Sequence, residues 1–336
     1  MGERKKQVDT EKFEEKENPV AGKPSEEPDG REKIEHLGKE NLEDVWKIGV
    51  ASFAPEFHLT KQKLCENAFD APDFFKEGSL GIRDAEGVLA GFILSKISLE
   101  DVVYPNTGWI SIFAVAPEKR CRGVGHRLLE SALQAFKEKG IERVYLGQDY
   151  RNFFSGIPSP SEEKIRFFAK EGFWINNEDH YDLEADIVSN EKIRDFDPDR
   201  FLKNFSVTTF SGEKKELLAF LDTEFPGRWV FEAETAMDEG KASEEIVLLW
   251  TGEKQELVGY CMLDGVGKEY GGLGPIGIAK KIRGNHVGDF MLWASLRQLE
   301  KIGVRTVNID WTILKDFYGK FGFVPERVYR GACKDI

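Results

Sequence analysis

The strongest constraint on this chain's fold is an internal duplication. Arg120-Cys121-Arg122-Gly123-Val124-Gly125 leads into an amphipathic segment and a short apolar run, and the passage closes on Phe168-Ala169-Lys170-Glu171-Gly172-Phe173. Arg283-Gly284-Asn285-His286-Val287-Gly288 leads into a second such passage, closing on Tyr318-Gly319-Lys320-Phe321-Gly322-Phe323. Arg120 to Lys170 is 50 positions (170 − 120) and Arg283 to Lys320 is 37 (320 − 283), so the first copy carries a surplus of 13. That surplus falls in one segment, 148–162, between an apolar run and the next amphipathic stretch, where a loop absorbs insertions. A repeated order of elements over so long a stretch implies a duplicated fold unit.

The surrounding patterns agree. "NLEDVWKIGVASF" has helical period, "SLGIRDAEGVLAGFILSKI" reads as strand, turn and strand, and "GWISIFAVAP" is an apolar strand stopped by Pro117. Leu128, Leu129, Ala132, Leu133 and Phe136 share one face of a helix that Gly140 stops, and Ser161 suits the N-cap of the next. In the second copy "FSVTTF", a hairpin over "TGEKQ", "LGPIGIA" and "TVNIDW" read as strands, with helices over "KKELLAFLDTEF", "VGDFMLWASLRQLEKIG" and "ILKDFYGKFG". The charged stretch "SNEKIRDFDPDR" is the expected seam, which divides the chain into a tail, 1–31, and two domains, 32–190 and 200–336. The tail has mixed charge and few apolar anchors, so it is expected to stay disordered.

The chain has 336 residues and a formal net charge of −13. Two domains of ordinary size fit that length, and the acidic balance argues against nucleic acid as a partner. Four scattered cysteines with no CxxC argue against a metal site or disulfide framework. No apolar run approaches membrane length, and "MGERKKQVDTEKFEEKENPV" has no signal-peptide core. The expectation is a cytoplasmic protein, without a metal or membrane partner, acting as monomer or homodimer on a small molecule.

A strand, Val-x-Pro, an Arg-x-x-Gly-x-Gly loop, a helix, a strand, and a helix ending aromatic-x-Lys-x-Gly-Phe together resemble the GNAT superfamily of acetyl-CoA-dependent N-acetyltransferases. The resemblance covers both halves. It implies an α/β (α+β) fold of two tandem GNAT domains, each a mixed, mostly antiparallel sheet flanked by helices. It also implies acetyl-CoA as cofactor, cradled by Val115, Arg120, Arg122, Gly123, Val124 and Gly125 in one copy. Ile278, Arg283, Gly284, Asn285, His286, Val287 and Gly288 correspond in the other. Glycines and a helix N-terminus suit a pyrophosphate physically, since they offer backbone N–H groups and a partial positive charge. His286 stands where the first copy has Gly123, and its side chain either crowds the phosphates or, as imidazolium, contacts one. Both copies also depart from the asparagine common in the family seven residues before the tyrosine: Ser161 and Trp311 hold that place.

Acetyl transfer to an amine needs a base, donors for the oxyanion and an acid for the departing thiolate. In this family a tyrosine at the position of Tyr318 often supplies the acid, and Phe168 of the first copy cannot. Asp310 ends an alternating strand and is either a base for the amine or a cap of the next helix. Tyr318 is either the acid or a packed aromatic. The reading is divided labour, with the second domain catalytic and the first an intact coenzyme-binding partner that is not catalytic. Trp229, placed in a loop by Pro226-Gly227, and Glu232 and Trp311 suit an amino sugar, with flat walls and acids; the alternative is ordinary packing and a solvated helix face. "EFPGRW" and "IDWTILKDFYGKFGF" resemble bacterial tandem enzymes that acetylate glucosamine or glucosaminides. The competing readings are an acetyltransferase for another small amine or peptide, of the mycothiol synthase type, and a non-catalytic acetyl-CoA-binding module.

Overall fold

The computed structural model describes residues 33–336, apart from 101, 102, 151, 253 and 266; the expected 1–31 tail lies outside them. The first half runs β1 (Lys33–His36), α1 (Leu42–Ser52), α2 (Lys61–Leu64), β2 (Leu80–Arg83), β3 (Leu89–Ile97), β4 (Thr107–Val115), α3 (Val124–Glu138), β5 (Arg143–Leu146), β6 (Ile157–Pro158), α4 (Glu162–Lys170) and β7 (Trp174–Asp186). The expected seam holds two short helices, α5 (Glu191–Arg194) and α6 (Asp199–Leu202). The order then recurs: β8 (Phe205–Thr209), α7 (Lys214–Glu224), α8 (Arg228–Asp238), α9 (Ala242–Glu245), β9 (Ile246–Thr251) and β10 (Glu256–Asp264). It ends with β11 (Tyr270–Ile278), α10 (Val287–Lys301), β12 (Thr306–Thr312), α11 (Lys315–Gly319) and β13 (Val324–Asp335).

The long helices follow their apolar stripes. Leu128, Leu129, Ala132, Leu133 and Phe136 of α3 are all buried, and α10 buries Phe290, Leu292, Leu296 and Leu299. Both helices end on the same pair of backbone bonds, Gly140 to Lys137 and Ile141 to Phe136 in one, Gly303 to Glu300 and Val304 to Leu299 in the other. Ser161 caps α4 as its sequence suggests, accepting from the Lys164 N–H.

The two halves form one sheet, in the order β1-β2-β3-β4-β5-β13-β7-β12-β11-β10-β9-β8. Its centre is an exchange. The last strand of the chain, β13, pairs with β5 of the first half (Cys333↔Tyr145), and β7 pairs with β12 of the second (Asp186↔Thr306). Each half therefore completes the other's sheet, and Tyr329 of β13 is buried with Phe57 and Phe154 of the first half. All four cysteines are free. No helix among the described residues is long and apolar enough to cross a membrane.

Candidate active site

Each half contains one parallel strand pair that opens into a V. β4 and β5 pair from Thr107↔Arg143 to Ile110↔Leu146; β11 and β12 pair from Tyr270↔Thr306 to Gly272↔Asn308. Beyond those points β4 and β11 run on without their parallel partners. In the first half the opening leads into a cavity of about 530 Å³, walled by Phe113, Phe154, Phe167 and Phe168, with Arg120 and Gly123 at its mouth.

The two glycine-containing loops are built alike. Arg120 Nε donates to the Val115 carbonyl at 3.1 Å, and Arg283 Nε donates to the Ile278 carbonyl at 3.2 Å. Val124 and Val287 are buried and seat the helix starts against the sheet, while Arg122, Gly284 and Asn285 lie exposed. Gly125 and Gly288 stand beside Phe167 and Phe317 respectively. Gly123 has φ +83 with no heavy atom near a would-be Cβ, so this backbone can approach a ligand closely. His286 takes the same left-handed turn at φ +60. Its ring does not stand free over the loop: Nδ1 meets the Asp289 carboxylate at 2.8 Å, and Lys320 Nζ lies 3.9 Å from the other Asp289 oxygen.

The second V ends in a bulge. The β12–β7 register runs Ile309↔Leu183 and then Thr312↔Tyr181, so Asp310 and Trp311 together stand opposite Asp182. Trp311 adopts φ +49, and its backbone N–H donates to Asp182 Oδ1 at 3.0 Å. Bulges of this kind re-aim side chains next to active sites. Asp182 is itself buried, lies 3.0 Å from Arg327 Nε, and has the Tyr329 hydroxyl against it. Arg327 Nη2 donates to Asn308 Oδ1 at 3.3 Å, and Asn308 Nδ2 donates to Asp310.

Solvent reaches Asp310, yet protein crowds around its carboxylate. That enclosure, and then the charge of Asp182, raise its pKa to about 6 against the pull of Arg327. Asp310 does not cap α11, whose N-cap is Leu314; the Leu314 N–H is taken by Thr312 Oγ1 at 3.0 Å. Capping is thus removed as an account of this acid.

At the strand end of the first half the sequence offers Gln148 and Asp149, but the residue in the place of Asp310 is glycine, and Asp149 is buried with its carboxylate 3.2 Å from Lys96 Nζ. Gly147 stands 27 residues after Arg120 and Asp310 stands 27 after Arg283 (147 − 120 and 310 − 283). The next residues, Gln148 at φ +64 and Trp311 at φ +49, share the same unusual backbone. A Cβ on Gly147 would lie 2.0 Å from the Phe154 carbonyl oxygen. The inserted loop therefore occupies the place of the acid, and only glycine fits beneath it.

Tyr318 and Phe168 hold equivalent positions, both buried. Tyr318 turns its hydroxyl to the Thr312 side chain, and burial holds it protonated, with its pKa above the ordinary tyrosine value. Trp229 corrects an expectation: it belongs to the first turn of α8, not to a loop. The preceding Gly227 serves as the helix N-cap, and the indole ring stacks on Phe225 with centroids 4.3 Å apart. The neighbouring residue is the one that faces the acid cleft. The Arg228 guanidinium lies 5.7 Å from the Trp311 ring and donates to Glu232 at 2.5 Å and to the Tyr150 carbonyl at 3.2 Å.

Trp311 stands beside Asp310 and Glu232 holds Arg228, whose guanidinium lies over the Trp311 ring, whereas Trp229 packs on Phe225. The residues that sequence reasoning missed are Asp182, Arg228, Asn308 and Arg327. Asn308 had a signal, since it alternates with Asp310 on one face of a strand. Arg228 and Glu232 had one too, at helical i,i+4 spacing. Asp182 and Arg327 had none, because the strand exchange that brings them here is long-range.

A family model described as "Acetyltransferase (GNAT) family" matches residues 43–173 and again 214–323. The mycothiol acetyltransferase of Propionibacterium freudenreichii subsp. shermanii is 25% identical over 149 residues, which is 44% of this chain and 44% of that protein. Among solved structures, a GCN5-related glucosamine N-acetyltransferase region of a fungal multi-domain GH3 β-N-acetylglucosaminidase superposes with a TM-score of 0.77 at 22% identity, covering 90% of this chain and 38% of that one. A GCN5-related N-acetyltransferase from Sphaerobacter thermophilus gives 0.72 at 13% identity, with 91% and 96% covered. A tandem GNAT protein from the clavulanic acid biosynthesis pathway gives 0.60 at 13% identity, with 90% and 98% covered. These likenesses establish the tandem fold.

Proposed function

The chain belongs to the acetyltransferase (GNAT) family, and from that premise we propose that it transfers an acetyl group from acetyl-CoA to the primary amine of an amino sugar. The chemistry is placed in the second half. The observation that carries this reading is the contrast between Asp310, an enclosed carboxylate at the open end of a V, and Gly147, whose equivalent position is filled by main chain.

Acetyl-CoA is the donor of this family, and the residues present fit it. In the first half Arg120, the loop through Gly123 and the N-terminus of α3 would hold its phosphates at the mouth of the cavity. In the second half Arg283, the loop through Gly288 and the start of α10 would do so, with the His286 ring hydrogen-bonded to Asp289 and Lys320 Nζ 3.9 Å from that carboxylate. The donor supplies an acyl carbon carried on a good leaving group.

Asp310 takes the proton from the acceptor ammonium. A base whose pKa lies near 6 is ionised at neutral pH and still a useful proton acceptor. Before that step the same carboxylate attracts the cationic amine. Trp311 offers a flat apolar wall, while Glu232, Arg228 and Asn308 offer hydrogen-bonding partners for hydroxyl groups. Tyr318, kept protonated by burial, is the proton donor for the leaving thiolate.

The glucosamine N-acetyltransferase region among the structural neighbours supports a sugar amine; the mycothiol acetyltransferase among the relatives supports the alternative, another small amine or peptide. An acceptor screen with acetyl-CoA, reading free thiol release, decides. Turnover of glucosamine without turnover of polyamines or amino acids supports the proposal. Turnover of peptides or other amines alone refutes the sugar assignment, and binding of acetyl-CoA without any turnover refutes the enzyme.

A further inference from the structure

We infer that Asp182, on a strand contributed by the first half, is a positioning residue for the second-half reaction: it takes the Trp311 N–H that the bulge removes from the β-ladder and so fixes the aim of Asp310. The inference rests on the reading of Asp310 as the base.

The geometry sets this role. Two residues of β12 stand opposite one of β7, so the amide of Trp311 has no backbone carbonyl across the ladder. A buried N–H left in that state costs free energy. Asp182 supplies the acceptor at 3.0 Å, and Arg327 anchors the carboxylate from the third strand at 3.0 Å. The first half solves the same problem differently: the amide of Gln148 donates to the Phe154 carbonyl at 2.8 Å. A neutral main-chain acceptor therefore serves where Gly147 holds the place of the acid, and a charged one where Asp310 stands.

The charge has a second consequence. The groups facing Asp310 are Asp182 on β7, Arg327 and Tyr329 on β13, Arg228 on α8, Asn308 on its own strand, Tyr270 on β11 and Lys63 on α2. Among the described residues that act on Asp310, Asp182 is the other carboxylate. Its repulsion makes Asp310 hold a proton more tightly, against two guanidinium groups that oppose it.

The test is a carboxyl ¹³C titration of the full chain labelled at aspartate, with the Asp310 signal assigned by its loss in Asp310→Asn. In Asp182→Asn the side-chain oxygen can still accept from Trp311, but the charge is gone. The Asp310 midpoint is expected to fall by about one pH unit, and the acid limb of kcat/KM for glucosamine to fall with it. Should Asp182→Asn not fold, Asp182→Ser, which keeps a hydroxyl acceptor near Trp311 without the charge, supplies the test. Asp182→Ala removes the acceptor of the Trp311 N–H as well: a kcat/KM for glucosamine in folded Asp182→Ala no lower than in Asp182→Asn overturns the positioning role, and a midpoint that stays in place in Asp182→Asn overturns the effect of its charge. If Asp310→Asn retains turnover, the base assignment itself falls and this inference with it. If Asp310→Asn is inactive while Asp182→Ala turns over glucosamine like the parent, the base stands and only the role of Asp182 is refuted.

Discussion

Replacing Gly147 by alanine probes why the first half lacks an acid. The residue sits at φ +62, where a side chain costs about 1–2 kcal/mol. The added Cβ would meet the Phe154 carbonyl oxygen at 2.0 Å and the Gly156 nitrogen at 2.8 Å, both main-chain atoms that no rotamer change can move. Relieving such an overlap by shifting backbone costs typically about 1–3 kcal/mol more. The loop is poorly placed to yield, because Phe154 stacks on Phe57 with centroids 5.4 Å apart and Gly156 backs onto the Arg330 carbonyl of β13. The sum is about 2–5 kcal/mol, or a drop in Tm of roughly 5–15 °C for a domain of this size. Gly123→Ala is the control: its φ is also positive, but nothing lies within 4 Å of the new atom, so only the conformational cost of about 1 kcal/mol applies. Differential scanning calorimetry of the two variants reads the difference. If Gly147→Ala melts no lower than Gly123→Ala, the loop does not fill the acid's place and the physical contrast between the halves fails.

Three further outcomes follow from the same geometry. Gly123→Glu removes the acetyl-CoA binding of the first half, read by calorimetric titration, while turnover persists; abolished turnover would move the chemistry to the first half. Tyr318→Phe keeps the buried ring and lowers kcat about a hundredfold, with a Tm change of only a few degrees from the lost hydroxyl contact; an intact rate removes Tyr318 as the acid. Asp310→Asn should be more stable than the parent at pH 7.5. A raised carboxyl pKa means the folded state binds the proton better than the unfolded chain does. Its stabilisation is full below about pH 4 and lost as pH rises through about 6. Solvent screening at an accessible carboxylate leaves a gain on the order of 1 kcal/mol, which vanishes in melts at pH 4.

The sequence made the periodic parts of this fold legible and left the exchange hidden. The stripes of α3 and α10, the paired hairpins and the Ser161 cap depend on local spacing, and local spacing is what a sequence displays. β7 and β13 show no clean alternation: "WINNEDHYDLEAD" mixes exposed, half-buried and buried positions without period. A central strand that joins two different cores has no single apolar face to announce. Asp310 was legible as a polar residue at the end of an alternating run. Its bulge was not, since a left-handed tryptophan has no local signature. Trp229 drew attention as the large aromatic after a turn, although the structure uses it for packing and turns Arg228 toward the cleft. Proline-glycine reads as a loop signal, yet here it precedes a helix start.

If the second half performs the acetyl transfer with Asp310 as its base, Asp310→Asn must lose turnover. With glucosamine and saturating acetyl-CoA at pH 7.5, kcat/KM is expected to fall about 10²–10⁴-fold in a protein that folds and binds acetyl-CoA as before. Turnover near the parent's rate in that variant would contradict it.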